Sequence, residues 1–481
     1  MYNHIKYFYV RLRSLADLIN TILINKKKVE VKNIQHDITL LDWLRNYHKM
    51  TGTKEGCAEG DCGACSVIIE DNGSANSRPI NSCLVRLGQV IGSSVTTIEG
   101  LGCDKNPHPL QVAFTKEHAS QCGYCTPGFI ISGISLLNSN KKITDDTIND
   151  AISGNLCRCT GYSPIIKAIK SVSNERIAKN NNQTIYKNKK INLGNVTYLK
   201  PSNLKELKKY LNDVKDFQFL AGGTDLNLHR PIINQKEDKI ICLDTIKELN
   251  SIKHFKEKIE FGGAVTIENF LEAIRSKMPE LIEILQRFGS PQIRNQGTIG
   301  GNLCTSSPIG DIAPILLVLN SNLKVFGRNG FKKINIKKFF KGYRKNILKK
   351  DEIISSLELP IVNKKNKIFS WKLSKRYDQD ISTISLAINI QIQNNIIKEL
   401  HIAAGGVAAT PKLLDKLCKQ MVEKNLDDSI EFAIQNLDTF IQPISDLRGS
   451  SHYRLEAMKG LFRRLQICLR QDKESLSIME V

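Results

Sequence analysis

The spacing of the cysteines constrains this chain more than any other feature. The stretch KEGCAEGDCGACSV, residues 54–67, opens a first cysteine set: Cys57, Cys62, Cys65 and Cys83. Further along lies a second cysteine set, made of two close pairs: Cys122, Cys125, Cys157 and Cys159. The chain has 13 cysteines in 481 residues, nine of them between positions 57 and 159. This is too dilute for a disulfide scaffold and too clustered for chance, and it indicates metal binding.

The first cysteine set has the plant-type spacing C-x4-C-x2-C with a distant fourth cysteine, which is typical of a [2Fe-2S] cluster. One tight loop supplies three thiolates and a second segment supplies the fourth. Gly56, Gly60 and Gly63 let the loop turn with positive φ and direct backbone N–H groups at the sulfurs. A four-cysteine zinc site usually pairs two short knuckles instead, so the spacing favours iron-sulfur.

In the second cysteine set, each pair falls between two predicted helices. Two helix-turn-helix units facing each other would bring the four thiolates together. Because C-x-C is unusual in both metal classes, zinc and iron-sulfur both remain open on spacing alone. The other cysteines have no such partners, and we expect each to be a small buried apolar residue: Cys103, Cys242, Cys304, Cys418 and Cys468.

Length and charge limit the class of protein. A chain of 481 residues predicts three or four domains. The net charge of +21 comes mostly from scattered Lys, without a basic stripe interleaved with aromatics, so we expect no nucleic-acid partner. Charged residues interrupt the apolar N-terminus, and the longest apolar run elsewhere is too short for a bilayer. These features predict a soluble cytoplasmic protein with no membrane partner.

Hydrophobic periodicity separates a β-rich stretch that ends near residue 98 from a helical stretch over 107–172. The first predicted helix follows Asp37 or Thr39, either of which could cap it. Thr144 and Ser163, the latter followed by Pro164, are expected N-caps of later helices. The helical stretch predicts a four-helix unit.

Two glycine turns follow buried apolar segments later in the chain. FQFLAGGTDLNL runs from a predicted strand into Gly222 and Gly223, and QGTIGGNLCTSSPIGD contains Gly300 and Gly301. Glycines after a strand let backbone N–H groups approach a phosphate. Each turn alone is a weak signal, and neither matches G-x-G-x-x-G or a Walker loop.

Taken together, TGTKEGCAEGDCGACSV, QCGYCTPG and NLCRCTGY resemble the two cluster signatures of the xanthine dehydrogenase family of molybdenum hydroxylases. The resemblance implies that each cysteine set holds one [2Fe-2S] cluster. It also implies that Gln121 touches the pterin of a molybdenum cofactor.

The glycine turns resemble the FAD-binding loops of the same family, whose flavin domain is vanillyl-alcohol-oxidase-like and not a Rossmann fold. The resemblance implies FAD contacts from two loops: Leu220, Ala221, Gly222, Gly223, Thr224, Asp225, Leu226, Asn227, Thr298, Ile299, Gly300, Gly301 and Asn302. It adds four further FAD positions: Phe288, Asp311, Ile354 and Lys372. RYDQDIST resembles the stretch near the flavin's reactive edge, with Asp380 matching and Gln379 replacing a common acidic residue.

We therefore expect a multidomain α+β chain. The expected order is an N-terminal extension (1–22), a β-grasp plant-type ferredoxin domain (23–98), a four-helix [2Fe-2S] domain (99–172), a linker (173–192), a PCMH-type FAD domain (193–365) and a C-terminal CO-dehydrogenase-flavoprotein-like α+β domain (366–475).

By resemblance, the function is an electron relay from a molybdopterin-binding large subunit through two [2Fe-2S] clusters to FAD and then to NAD+. Because no molybdopterin domain precedes residue 481, substrate oxidation is expected on the partner, in a heterotetramer of two heterodimers. The leading substrate is a purine, and an aldehyde oxidoreductase is the closest alternative. A non-catalytic zinc scaffold without flavin is the alternative from another class.

Overall fold

The computed structural model describes residues 20–34, 38–70, 77–173, 189–228 and 238–470. These residues form two compact units. Of the described residues, those up to 246 together with Ser290–Gln296 form the first unit, and those at 247–289 and from 297 onward form the second. Most of the expected N-terminal extension and linker, residues 1–19 and 174–188, lies outside the described residues.

The first unit begins with a five-stranded mixed sheet of the β-grasp type. Its strands lie in the spatial order Lys27–Glu30, Thr21–Ile24, Ser94–Thr96, Ser66–Glu70 and Ser77–Asn81. A helix, Leu40–Asp42, continues as one π-helical turn, Trp43–Tyr47, and buries Leu40, Trp43 and Leu44 against the sheet. Thr39 caps this helix in a capping box with Asp42, as predicted for one of two residues; Asp37 lies outside the described residues.

Four helices follow the sheet and confirm the predicted four-helix unit: Pro109–Lys116, Thr126–Leu137, Asp145–Ile152 and Ser163–Ser171. Their apolar faces meet in one core that includes Leu110, Phe129 and Ile165. Thr144 forms the predicted cap. The prediction for Ser163 was wrong, because Ser163 is the first helical residue and Tyr162 precedes it with φ +68°.

A four-stranded sheet completes the first unit, in the order Lys190–Leu193, Val196–Leu199, Lys239–Cys242 and Gln218–Leu220. The last two pairings are parallel, and the helix Leu204–Asp213 joins two of the strands. Ile191, Tyr198 and Leu220 are buried in the same core as the β-grasp sheet. The short helix Pro291–Arg294 also belongs to this unit.

The second unit contains two larger sheets. The first is antiparallel, in the order Ile252–His254, Lys258–Gly262, Ile353–Pro360, Asn322–Gly327 and Gly330–Asn335. Four helices pack into its core: Ile267–Ile274, Ile282–Gln286, Ile299–Thr305 and Ile312–Val318. A two-strand ribbon, Phe340–Gly342 with Lys345–Asn346, extends from this part.

The last sheet has the order Lys367–Leu373, Ile384–Gln393, Ile396–Gly405 and Lys412–Leu413. Ala387 and Ala403 face the preceding core, whereas Leu386 and Ile388 face a second core. Three helices cover that second face: Asp415–Met421, Leu426–Asn436 and Ser451–Arg470. The predicted multidomain α+β class is confirmed. Within the described ranges, no helix combines the length and apolar character that crossing a bilayer requires.

Candidate metal and cofactor sites

The loop of the first cysteine set enters the strand Ser66–Glu70, and its fourth member lies in the 3₁₀ turn Ser82–Leu84. Cys65 and Cys83 are buried, at 2% and 0% exposure, and their sulfurs lie 3.3 Å apart. Cys57 and Cys62 are partly exposed. The structure therefore brings Cys65 and Cys83 together from two segments of chain, with Cys57 near enough to both to interact electrostatically.

Backbone N–H groups of the loop point at its sulfurs. Cys57 Sγ accepts from the N–H groups of Glu59, Asp61 and Cys62 at 3.5, 3.2 and 3.3 Å, and Cys62 Sγ accepts from Cys57 N at 3.3 Å. A hydrogen bond from the Cys62 thiol, together with these N–H groups, lowers the pKa of Cys57 to about 5, although partial burial opposes the shift. The loop thus stabilises the thiolate form of Cys57, whereas the same hydrogen bond, with burial, raises the pKa of Cys62.

Glycines allow the loop to turn tightly and to lie close to the cysteine sulfurs. Gly60 and Gly63 have φ values of +82° and +67°, where a side chain is strained. At Gly56, a Cβ atom would lie 2.6 Å from Cys62 Sγ. The loop is therefore shaped as a close cradle around sulfur atoms, and it fits a thiolate-bound group.

The second cysteine set lies between helices, as predicted. Cys125 directly precedes the helix Thr126–Leu137, and the pair Cys157 and Cys159 lies in the turn before the helix Ser163–Ser171. Cys122 and Cys159 are exposed, and so is the neighbouring Gln121. This set is therefore at the surface of the first unit.

Electrostatics within the second set also differ from thiol to thiol. Burial, with a hydrogen bond to Cys157, raises the pKa of Cys125 to about 12. Burial opposes ionisation of Cys157, but hydrogen bonds from Thr160, Cys159 and Cys125 together outweigh it and lower the pKa of that thiol.

Both sets are organised as two pairs of sulfurs. Hydrogen bonds join Cys57 with Cys62, Cys65 with Cys83, Cys125 with Cys157, and Cys122 with Cys159. Among the described residues, no group of three or more Cys, His, Asp or Glu side chains converges as a single metal ion requires. Two pairs suit a two-iron cluster, in which each iron takes two protein ligands, better than one tetrahedral zinc.

The two cysteine loops touch each other directly. Leu156 N–H donates to the carbonyl of Cys62 at 3.0 Å, and Asn155 Nδ2 donates to the carbonyl of Gly63 at 3.0 Å. A Cβ atom at Gly63 would lie 2.1 Å from the carbonyl oxygen of Gly154. Sequence reasoning missed Asn155, although it stands in the quoted NLCRCTGY, because nothing local indicates its partner 92 residues away.

Of the remaining cysteines, Cys242, Cys418 and Cys468 are buried as expected, and Cys304 is partly buried against the second unit's core. The expectation was wrong for Cys103, which is exposed because it lies in a turn bridged to Asn106 and outside any helix or strand.

The first glycine turn, in the first unit, bends at Gly223 with φ +77°. Asn227, predicted as an FAD contact, is buried; its Nδ2 donates to Leu84 O at 2.7 Å and its Oδ1 accepts from Arg86 Nε at 3.0 Å. Its side chain thereby attaches the turn to the residue after Cys83. Asp225 in the same turn is exposed.

The second glycine turn, in the second unit, begins the helix Ile299–Thr305. Thr298 caps this helix, with Oγ1 accepting from Gly301 N at 3.1 Å. A Cβ atom at Gly300 would lie 2.5 Å from the carbonyl oxygen of Gly263, so this glycine allows two backbone segments to pack closely. Gly301 is exposed.

Two further predicted positions in the second unit form a buried ion pair. Lys372 Nζ lies 2.8 Å from Asp311 Oδ2, with side chains 1% and 7% exposed. Lys372 also donates to the carbonyl of Arg287 at 2.8 Å, and Asp311 accepts from Ser382. Because both charges are satisfied within the protein, the pair fixes local structure.

Two other predicted positions in the second unit are apolar. Ile354 is buried in the core of the second unit, and Phe288 is half-buried beside it. Arg287, which sequence reasoning missed, is buried and donates to Lys372 O, Ser374 Oγ and Tyr377 O at 3.1–3.2 Å. Only its position next to Phe288 could have drawn attention to it.

Asp380 accepts from the N–H groups of Arg376 and Ile381 at 2.9 Å and from Arg448 Nη1 at 3.3 Å. Gln379 beside it has φ +51°. The carboxylate therefore holds its own loop in place.

Four family models match the chain in sequence. They are a 2Fe-2S iron-sulfur cluster binding domain at residues 22–88, a [2Fe-2S] binding domain at 97–170, an FAD binding domain in molybdopterin dehydrogenase at 192–362, and a CO dehydrogenase flavoprotein C-terminal domain at 369–469. Together they span most of the chain.

Curated relatives include the xanthine dehydrogenase of Drosophila pseudoobscura pseudoobscura, 29% identical over 84% of this chain and 35% of the relative, and the xanthine dehydrogenase/oxidase of Gallus gallus, 29% identical over 86% and 37%. Aldehyde oxidase 1 of Bos taurus is 28% identical over 83% of this chain and 35% of its own length. The chain spans about a third of the length of these curated relatives.

Among solved structures, a Cu,Mo-CO dehydrogenase in cyanide-inactivated form matches with a TM-score of 0.52 at 22% identity, covering 56% of this chain and 94% of that one. Quinoline 2-oxidoreductase from Pseudomonas putida 86 matches with a TM-score of 0.52 at 21% identity, covering 58% and 97%. These likenesses concern the fold.

Two iron-sulfur domains followed by an FAD domain and a flavoprotein C-terminal domain define the electron-transfer portion of a molybdenum-containing oxidoreductase. The chain carries the iron-sulfur and FAD electron-transfer domains of a molybdenum hydroxylase, and the curated proteins it resembles include xanthine dehydrogenases.

Proposed function

We propose that this chain is the iron-sulfur and flavin subunit of a xanthine dehydrogenase. It would pass electrons from a molybdopterin-binding partner through two [2Fe-2S] clusters to FAD and on to NAD+, as a purine is oxidised from hypoxanthine to xanthine and urate. The observation that carries the proposal is the direct contact between one buried and one exposed cysteine loop, through Leu156 N–H and Cys62 O at 3.0 Å.

The ligand assignment follows the sulfur pairs. Four cysteines would hold the first cluster: Cys57, Cys62, Cys65 and Cys83. Four would hold the second: Cys122, Cys125, Cys157 and Cys159. When bound, such clusters exchange single electrons and a flavin exchanges one or two. The chain's own part is to direct N–H groups at sulfur, to exclude water at Cys65 and Cys83, and to hold the loops at a fixed spacing.

For FAD, we propose that each glycine turn contributes to binding, the second through the exposed Gly301 and the side chain of Asn302, since the N–H groups of these two residues already donate to Thr298. The model matched at residues 192–362 supports an FAD domain here. Asn227, Asp311 and Lys372 act by fixing the loops around the cofactor, since their polar atoms are already engaged. No side chain of this chain needs to act as a general acid or base.

The partner would approach the second cysteine set. Tyr124 and Leu156, 49% and 42% exposed, lie beside the exposed Cys122 and Cys159. Exposed apolar side chains next to a metal ligand suit a docking surface through which electrons enter. A cytoplasmic heterotetramer of two heterodimers, with Gln121 against the pterin, completes the proposal.

The second candidate function is the same subunit of an aldehyde oxidoreductase. The match to aldehyde oxidase 1 of Bos taurus, at 28% identity, supports this second candidate. Both candidates use the same cofactors on this chain, so the substrate pocket of the partner would distinguish them.

The test is to co-express the chain with its molybdopterin-binding partner, count iron and FAD per chain, and follow NADH formation with hypoxanthine, xanthine and an aromatic aldehyde. Iron for two clusters, one FAD and purine-dependent NADH support the proposal. Full cofactor content with turnover of the aldehyde alone supports the second candidate. Zinc without iron and flavin contradicts both.

A further inference from the structure

One short segment of the chain, Ser290–Gln296, belongs to the first unit although the residues on both sides of it in sequence belong to the second. It consists of the helix Pro291–Arg294, capped by Ser290, and the two residues after it. Arg294 is fully buried and pairs with Asp150 at 2.7 Å. The segment is therefore firmly held among the iron-sulfur domains.

Gln292 of this segment is 0% exposed and reaches both cysteine loops. Its Nε2 lies 3.0 Å from Ser132 Oγ, 3.1 Å from Asn155 Oδ1 and 3.3 Å from Ser66 Oγ. Ser66 directly follows Cys65, and Asn155 precedes Cys157 by two residues. A single amide thus joins the ends of the two loops.

The amide oxygen of Gln292, Oε1, is also closely packed. A Cβ atom at Gly154 would lie 1.8 Å from Gln292 Oε1. Asn155, which accepts from Gln292, in turn donates to the carbonyl of Gly63 in the first loop at 3.0 Å. Any displacement of Gln292 would therefore be passed to the contact between the loops.

Gln296 makes a second connection from the same segment. Its Nε2 donates to the carbonyl of Leu84, next to Cys83, at 3.0 Å, and to the carbonyl of Gly222 at 2.7 Å. It thus joins the first cysteine set to the first glycine turn. The two glutamines have the same chemistry but connect different pairs of loops.

We propose that Gln292 and Gln296 are positioning residues, Gln292 for the spacing of the two iron-sulfur clusters and Gln296 for the spacing of the first cluster and the flavin loop. The inference rests on the proposed function, since it requires both clusters and FAD to be bound.

The experiment uses the full chain with Gln292→Met and Gln296→Met, which keep side-chain length and remove the amide. Iron and FAD per chain, the melting temperature, and the EPR spectrum of the fully reduced protein are measured for each. Two reduced clusters split each other's EPR lines in a distance-dependent manner. We expect Gln292→Met to lose or alter this splitting while FAD stays bound.

Gln296→Met should leave the cluster-cluster splitting unchanged. It should weaken FAD retention by about tenfold, the equivalent of about 1.4 kcal/mol, because one of the hydrogen bonds that fix the Gly222 turn is gone. Each variant is therefore the control for the other. Equal changes in both variants, or wild-type splitting in Gln292→Met, would overturn the assignment.

If Gln292→Met does not retain iron, Ser132→Ala is measured in its place. This variant removes a hydrogen-bond partner of the Gln292 amide that does not adjoin a cysteine. Altered splitting supports the inference, and wild-type splitting overturns it. Failure of the proposed function would look different, because the unaltered chain would then show no pair of interacting clusters.

Discussion

The two cysteine sets use the same ligand chemistry in opposite surroundings. Cys65 and Cys83 are nearly inaccessible to water, and their loop carries two glycines with positive φ that are packed against neighbouring atoms. In the second set, Cys122 and Cys159 are exposed, and Gly123 and Gly161 have positive φ with open space around them. The loop of the first set is packed inside the first unit, whereas the second set lies at the exposed N-terminal ends of two helices.

Under the proposed function, this difference gives the two clusters separate roles in electron transfer. A buried cluster exchanges electrons with a neighbour inside the protein, and its potential is set by fixed N–H groups and by burial. An exposed cluster can meet an outside partner, but solvent reaches it too. Variants that change the burial or the packing of one cysteine set, each compared with a matched variant of the other set, test these separate roles.

The largest effect is expected from removing a buried ligand. Cys83→Ala should lose about half of the bound iron and lower the melting temperature substantially, because Cys83 is 0% exposed and its partner sulfur is 3.3 Å away. Cys122→Ala should lose a similar share of iron with a smaller change in melting temperature, since Cys122 is exposed. Iron analysis and calorimetry measure the iron content and the melting temperature of both variants. Equal melting temperatures would contradict the contrast between a buried and an exposed cysteine set.

The next effect concerns the loop glycines. Gly63→Ala should destabilise the protein by about 3 kcal/mol, because a strained φ adds to a Cβ atom placed 2.1 Å from the Gly154 carbonyl oxygen. Gly123→Ala, with similar φ but its nearest atom 3.7 Å away, is the matched control and should cost about 1 kcal/mol. Denaturant unfolding measures the difference, and a larger loss at Gly123 would contradict the packing argument.

A third effect is the order in which iron is lost. Under reducing conditions a chelator should remove iron from the second set first, because Cys122 and Cys159 are exposed and Cys65 and Cys83 are not. Two kinetic phases are expected, with the EPR signal of the first cluster surviving the fast one. A single phase for both signals would show that burial does not control access.

The smallest effect is expected at a contact between the two loops. Tyr124 donates through its hydroxyl to the carbonyl of Glu55, two residues before Cys57, but the residue is 49% exposed. Tyr124→Phe should therefore lower stability by about 0.5 kcal/mol and leave the iron content unchanged. Loss of iron in this variant would mean that the exposed contact is needed for assembly.

The fold class, the four-helix unit and the grouping of the cysteines could be predicted from sequence, because short spacings and periodicity determine them locally. The roles of Asn155 and Arg287 could not, since their partners lie 92 and 85 residues away. Gly300 shows a further limit. A glycine after an apolar stretch predicts an open backbone, but here it accommodates the Gly263 carbonyl.

The separation of Gln292 from Asn155 by 137 residues also has a consequence for biosynthesis. Both cysteine loops leave the ribosome before Gln292 is made, and at usual elongation rates the interval is on the order of ten seconds. During that interval the iron-sulfur domains lack the hydrogen bonds of Gln292. These bonds can form only once the flavin domain is being synthesised. The direct contacts between the two loops, through Leu156 and Asn155, can form during that interval, and the hydrogen bonds of Gln292 are added to them afterwards.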